Sequence, residues 1–456
     1  MAAQRLSRRQ FLHNTLTAGG VAALTALSWS RVWGANERLR VASVGVEGKG
    51  WSDHISVAAS PHVEIVALCD VDEGADHLGK AAEKYPRARR FTDWRRLFEQ
   101  ARDFDAVIVS TPDHMHAPIA LPAMKLGKHV FCQKPLTHTV FEARQMRLAA
   151  EKYHVVTQMG NQIQSHQAYR TAVKLVHDGV IGRVKEVHSW QSGPMRWILV
   201  DDRPPGADPV PQTLHWDEWL GVAPERPYKT IKDKQKDKPL YHPFNWRAWQ
   251  DFSNGQLGDF GCHILDPVFL ALGLTAPTTV HAEAPALNRE IWYKRSTVSY
   301  QFPGTERTAG QMLSLTWYDG QGHVPPPEVH GLPKKYKLPM AGSVLIGEKG
   351  SMVIPHFALP KLFPEEKFAD FKMEVVPSVD HYVSWADACR GEGKTTSSFA
   401  YASPLTETVL LGTIAIRVPG ETLRWDSTRL AIPNSTAANG LLTKRYRKGW
   451  EPSWIA

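Results

Sequence analysis

The sequence predicts an α/β chain in two parts: a parallel sheet covered by helices on both faces, then an α+β domain with a mostly antiparallel, open-faced sheet. Three observations carry this. Between residues 38 and 160, apolar strand-like runs with little polar alternation are separated by amphipathic helical stretches, which is the pattern of a sheet buried on both faces. After residue 160, strand-like runs follow one another without regular helical crossovers, so those strands should pair as hairpins. A chain of 456 residues, 43% hydrophobic, is also too long for one ordinary domain.

The first 35 residues stand apart from this pattern. Arg8 and Arg9 precede Phe11 and Leu12, and a short apolar stretch rich in Gly, Ala and Thr follows, ending in small residues near Ala35. This reads as a twin-arginine export signal, too short and too polar for a membrane anchor. The expectation is a periplasmic protein exported folded by the twin-arginine machinery, with no membrane span in its mature form. Four arginines and no acid in this segment account for half of the net charge of +8. The remaining lysines and arginines form no run interleaved with aromatics. The stretch at 229–238 reads as a solvated loop, and nucleic-acid binding is excluded as a function. Four scattered cysteines with no C-x-x-C pair give neither a cysteine zinc site nor a disulfide framework.

Residues 36–160 form the first predicted domain. Strands are read at 38–45, 62–70, 103–111 and 129–133, helices at 51–60, 74–85, 116–127 and 139–153, and a final strand-like run at 155–161. The second domain covers 161–430. A helix at 167–180 leads to a run at 182–193 and a long Pro/Trp-rich region. A helix beginning near Asp259 follows, then strand-like runs at 296–303, 310–320 and 342–354, and helices at 380–391 and 401–418. Residues 431–456 read as a tail packed by aromatics. An open sheet face in the second domain predicts a homo-oligomer.

Ligands of an open parallel sheet bind beyond the carboxyl ends of its strands, and four polar clusters share that address. The loop "GVEGKG" offers Gly45, Gly48 and Gly50 for a dinucleotide turn, although Glu47 holds the usual middle position. "CDVD" ends the second strand. Asp70 is placed to bind ribose hydroxyls, and with Asp72 and Glu73 following it the expected cofactor is NAD rather than NADP. "STPDHMHAP" brings Ser110, Thr111, Pro112, His114 and His116. Two histidines two residues apart, with no third ligand at suitable spacing, read as cofactor contacts rather than as a metal site, and no metal is expected. "FCQKPLTHT" places Gln133 and Lys134 at the same edge.

Together with "GVIGRVKEVHS" (179–189) and "GQLGDFGCHILD" (255–266), these stretches resemble the Gfo/Idh/MocA family of NAD(P)-dependent oxidoreductases. The resemblance covers most of the chain after the first 35 residues and implies a Rossmann dinucleotide-binding domain followed by a substrate domain. It implies that Lys134 matches the lysine of a Glu-Lys-Pro motif beside the nicotinamide, and that Asp259 and His263 match an Asp-x-x-x-His acid/base pair. Such a pair at i and i+4 shares one helix face, where a carboxylate can orient an imidazole. Gln133 departs from the motif's glutamate and removes an anion from beside Lys134.

The chemistry expected is hydride transfer to or from a secondary alcohol of a sugar or glycoside, with His263 as base and Lys134 polarising the oxygen, or with Lys134 as the base. Asn161, Gln162, His166, Trp190 and Arg247 are the expected substrate contacts. Trp197, Trp216, Trp219, Trp246 and Trp249 crowd the same region, with about one or two of these tryptophans expected in the site. An exported enzyme has no nucleotide pool, which favours a retained cofactor and redox-neutral cycles. The alternatives are an NAD-dependent glycosidase or keto-glycoside lyase, and a sugar- or dinucleotide-binding protein without catalysis.

Overall fold

The computed structural model describes residues 38–452, apart from 234–235, 286–287 and 289. The segment with the paired arginines lies outside the described residues. The first sheet has six parallel strands: β1 (Leu39–Val44), β2 (Val63–Cys69), β3 (Arg89–Phe91), β4 (Ala106–Val109), β5 (His129–Cys132) and β6 (Thr157–Met159). Their order is β3-β2-β1-β4-β5-β6. β4 is buried along its whole length, and β1 is buried at Leu39, Val41, Ala42 and Val44, as strands covered on both faces must be. β3 has no counterpart in the sequence reading, because "RRF" has no apolar pattern. It is an edge strand with both arginines exposed, and it belongs to the sheet by its backbone pairing to β2. The order reverses between β1 and β4, so a crevice opens beyond their carboxyl ends.

The second sheet has eight strands: β7 (Val184–Gln191), β10 (Thr279–Glu283), β11 (Arg295–Pro303), β12 (Met312–Gly320), β13 (Ala341–Gly347), β14 (Ser351–Pro355), β15 (Lys361–Phe363) and β16 (Thr422–Arg424). Its order is β15-β14-β13-β7-β12-β11-β10-β16, and every pair is antiparallel except β7 with β12. The helix Phe399–Arg417 lies on β10 and β11 and also packs against the helices Val140–Tyr153 and Gly255–Ile264. It is long and apolar enough to cross a membrane, but 83% of its apolar window is buried in the molecule, which makes it a core helix. On the other face of this sheet, Trp190, Tyr318, Val344 and Val353 pack under Leu332, with Tyr336 and Leu338 against them, so the chain itself covers that half.

The Pro/Trp-rich region is a small core of its own. Trp197, Trp219, Tyr241, Trp246, Trp249 and Phe252 are buried together, and Trp216 stacks on Trp219 at 4.8 Å. The stretch expected as a solvated loop forms a hairpin instead, β8 (Thr230–Asp233) with β9 (Lys236–Pro239), in which Lys232 pairs with Asp237 across the strands. Backbone bonds tie this region to the end of β2, from His215 N to Val71 O (2.8 Å) and from Glu73 N to Thr213 O (2.9 Å).

Where the long helix crosses β11, Gly412 admits the Tyr300 ring; a Cβ there would lie 2.0 Å from its hydroxyl and 2.6 Å from Leu257. Gly412→Ala should therefore lower stability by about 1–3 kcal/mol in chemical denaturation, although alanine gains about 1 kcal/mol of helix propensity.

Candidate active site

A cleft of about 810 Å³ runs along the carboxyl edge of the first sheet, with the helix Gly255–Ile264 and the tryptophan-rich segment as its other walls. Its floor begins with the glycine loop. A Cβ on Gly45 (φ +78°) would lie 2.7 Å from Ser110 O, and one on Gly50 would lie 2.0 Å from Gly45 O. These two positions admit glycine alone. Gly48, at φ +59° with open space around it, precedes the helix Lys49–Val57 and takes the close-approach role that Glu47 cannot fill. Glu47 does not oppose an anion there, because its carboxylate pairs with Lys80 at 3.1 Å and Lys80 lies over the Trp51 ring. The cleft thus presents backbone N–H groups and a helix N-terminus, the environment a pyrophosphate requires. Asp70 also lines it and accepts from Val46 N (2.8 Å) and Asp72 N (3.0 Å), which locks the glycine loop to the end of β2. Burial pushes its carboxyl above the ordinary range, against the pull of those two amides.

Ser110, Thr111 and Pro112 line the cleft as expected, with the Ser110 hydroxyl donating to Asp53 at 2.7 Å. His114 and His116 do not. The ring of His114 is buried against Trp219 and Phe252, with Nε2 3.3 Å from Trp219 O. His116 sits between two carbonyls, 2.8 Å from Thr111 O and 2.8 Å from Pro135 O, and burial lowers its pKa to about 4. It braces the turn after β4 against the one after β5, where the Lys134–Pro135 bond is cis. Both histidines were expected as cofactor contacts and are instead buried structural groups. A short polar spacing identifies the loop but not which way each ring turns.

Lys134 reaches across the cleft to the helix Gly255–Ile264, donating to Asp259 Oδ1 (2.7 Å) and Asp259 O (2.6 Å). Burial works against the Asp259 anion, but Lys134 and Arg247, whose Nε is 3.7 Å away, hold its carboxyl below the usual range. The helix starts at Gly255, four residues before Asp259, so Asp259 and His263 sit in its middle and last turn. They share a face, but Asp259 does not orient the imidazole as expected: its carboxylate goes to Lys134, and His263 Nδ1 is buried without a partner among the described residues. Burial, followed by the Lys134 charge, keeps His263 neutral far below its ordinary pKa.

Of the expected substrate contacts, Gln162 and Arg247 line the cleft. Arg247 is held over the rings of Phe244 and Trp246. Asn161 is buried beside Asp266. The ring of His166 caps the helix Gln167–His177 by accepting from Ala168 N at 3.2 Å. Trp190 is fully buried on the far side of the second sheet, donating to Pro339 O at 2.7 Å. Neither His166 nor Trp190 reaches the cleft. Trp197, Trp219 and Trp246 line it, whereas Trp216 and Trp249 serve the core of their own segment.

Two acids escaped the sequence reading. Asp113, between the selected Pro112 and His114, lines the cleft and accepts from Asn254 N (3.1 Å) and Nδ2 (3.2 Å). Burial, reinforced by the negative Asp259, raises its pKa from 3.8 to about 7. Asp53 is fully buried under Gln133, which donates to it at 2.8 Å, and it also pairs with Lys49. The anion missing at position 133 is therefore supplied one helix away and bound to a different lysine. Its spacing of four from Lys49 was the available signal.

Residues 39–161 match the profile of the Gfo/Idh/MocA oxidoreductase family's NAD-binding Rossmann fold, and residues 166–306 match its C-terminal alpha/beta domain. The chain belongs to the Gfo/Idh/MocA family. The alpha-N-acetylgalactosaminidase of Shewanella oneidensis is 30% identical over 172 residues, which cover 36% of this chain and 37% of that protein. The levoglucosan dehydrogenase of Pseudarthrobacter phenanthrenivorans is 30% identical over 126 residues, covering 28% of this chain and 31% of that one. The chain thus spans about a third of the length of these relatives. Two solved structures share the fold across most of the chain. The aldose-aldose oxidoreductase of Caulobacter crescentus complexed with glycerol has a TM-score of 0.56 at 17% identity, covering 85% of this chain and 100% of that one. The WlbA dehydrogenase of Bordetella pertussis, in complex with NADH and UDP-GlcNAcA, has a TM-score of 0.58 at 16% identity, covering 86% and 99%.

Two variants test the charge placement. Because the Asp113 pKa is raised in the folded state, stability is lost as pH rises from about 4 towards 7. The Tm of Asp113→Asn relative to the parent should accordingly climb over that interval; a constant difference would show that Asp113 does not titrate with a raised pKa in the folded protein. Gln133→Glu sets a second carboxylate against Asp53, so its destabilisation should be small near pH 5 and about 1–3 kcal/mol near pH 8.

Proposed function

We propose that this protein is an NAD-dependent oxidoreductase acting on a secondary alcohol of a sugar or glycoside, and that it keeps its nucleotide between turnovers. The observation that carries this is Lys134 at the dinucleotide edge of the cleft, bonded to Asp259 and facing the same space as Arg247 and His263. When bound, the nicotinamide supplies the hydride acceptor and donor. Gly45, Gly48 and Gly50 would hold the pyrophosphate, and Asp70 the adenosine ribose. The acids at Asp70, Asp72 and Glu73 disfavour a 2′-phosphate and support NAD over NADP.

Lys134 would polarise the substrate oxygen, with Asp259 fixing the direction of its ammonium group. Neutral His263, with an unpartnered ring nitrogen, would accept the hydroxyl proton. Asp113, poised near neutrality beside Asp259, offers a further proton store. A sugar is supported by the Trp197, Trp219, Trp246 and Phe244 walls, whose flat faces suit ring C–H groups.

Retention of the nucleotide is supported by the tryptophan-rich segment, whose His215 and Thr213 are bonded to the residues following Asp70. The paired arginines Arg8 and Arg9 support a periplasmic location, where a resident nucleotide must be regenerated within each cycle. The second reading, a redox-neutral glycosidase or lyase, is favoured by the alpha-N-acetylgalactosaminidase relative and would use the same groups.

Lys134→Ala should lower turnover at least ~10²-fold on a panel of aldoses and glycosides assayed without added nucleotide, while leaving nucleotide bound. Asp259 keeps Arg247 as a partner, so the variant should fold. Unchanged turnover would refute the role of Lys134. Release of an aglycone from the glycosides, with no oxidised sugar, would select the second reading.

A further inference from the structure

We propose that Asp72, His77 and His242 form a binding site for one divalent transition-metal ion of the zinc class, pinning the tryptophan-rich segment to the end of β2. The three residues come from separate places in the chain: the turn after β2, the N-cap of the helix Leu78–Lys84, and the segment between β9 and the helix Gly255–Ile264. Their donor atoms lie within 4.8 Å of one another. Asp72 Oδ2 is 2.9 Å from His242 Nε2 and 3.8 Å from His77 Nδ1, and the two imidazole centroids are 5.0 Å apart. Tetrahedral zinc with bonds near 2.0–2.1 Å sets its ligands about 3.3–3.5 Å apart, so the observed gaps bracket the separation an ion requires.

The surroundings fit a coordination site. The other Asp72 oxygen accepts from Gly74 N at 2.9 Å, which fixes the carboxylate's direction, as outer partners of metal ligands do. His77 Nε2 is buried without a partner among the described residues, so the ring makes its polar contacts on the Asp72 and Asp76 side. Asp76 is exposed and lies 3.0 Å from His77 Nδ1, outside the three-residue group, which leaves a fourth position open. A His₂-carboxylate set with that position open suits zinc or cobalt and is a poor match for magnesium or calcium. The ion would be structural, since Lys134, Asp259 and His263 are not among its ligands.

The test uses the full chain without a histidine tag, with whatever nucleotide it retains, dialysed against Co²⁺ or Zn²⁺. The expected result is about one ion per chain, tetrahedral Co²⁺ absorption bands, and a Tm raised by Zn²⁺. His242→Ala should bind Co²⁺ at least ~tenfold more weakly and lose the Zn²⁺-dependent Tm shift. His77→Gln, which keeps a polar group against Asp76, should weaken binding in the same way if His242→Ala fails to fold. Absence of a stoichiometric ion overturns the proposal. So does equal uptake by the parent and both variants, which would assign the metal to other histidines.

Discussion

The bond between Lys134 and Asp259 is the constraint on which the site depends. One partner lies just beyond β5 of the first sheet, and the other lies mid-helix in the second domain. Side chains this enclosed cannot be left unpaired cheaply: removing one partner of a buried pair costs about 3–5 kcal/mol when nothing else compensates. Arg247 is the compensating cation for Asp259, held in place by Phe244 and Trp246. The pair therefore ties the two walls of the cleft together at Lys134 and fixes the direction of its ammonium group.

A second layer of charge sits behind that pair and follows the same logic. Asp53 is fully buried and takes donors from Lys49, Ser110 and Gln133, three elements of the dinucleotide half. Gln133 is packed over Gly160, where a Cβ would lie 2.3 Å from its amide nitrogen, so the amide is held against Asp53. The glutamine at this position is thus the neutral partner of a displaced carboxylate. A glutamate would put two anions into one buried pocket.

The parallel sheet was legible because apolar runs separated by amphipathic helices permit few other arrangements. Gly45 and Gly50 were legible because turn and packing geometry exclude side chains there. Lys134, Asp259 and His263 came from motif resemblance, and the structure brings them to one cleft. The direction of side chains was not legible. His116, His166 and Trp190 carry suitable chemistry, yet each is turned to backbone groups, and His114 is buried against Trp219 and Phe252; none of the four lines the cleft. β3 was invisible because its pairing is a backbone property. The tryptophan-rich segment and its mixed role were legible, with about one or two tryptophans expected in the site: Trp197, Trp219 and Trp246 line the cleft, and the segment's aromatics also hold together a small core. Composition marks such a region as important without saying whether it grips a ligand or itself.

On the proposed function, that small core walls in a nucleotide the protein does not exchange. The direct measurement is the nucleotide content of the purified full chain after gel filtration and denaturation. About one NAD(H) should be released per chain without any having been added. A chain that elutes free of nucleotide, and turns over only when NAD is supplied, would contradict it.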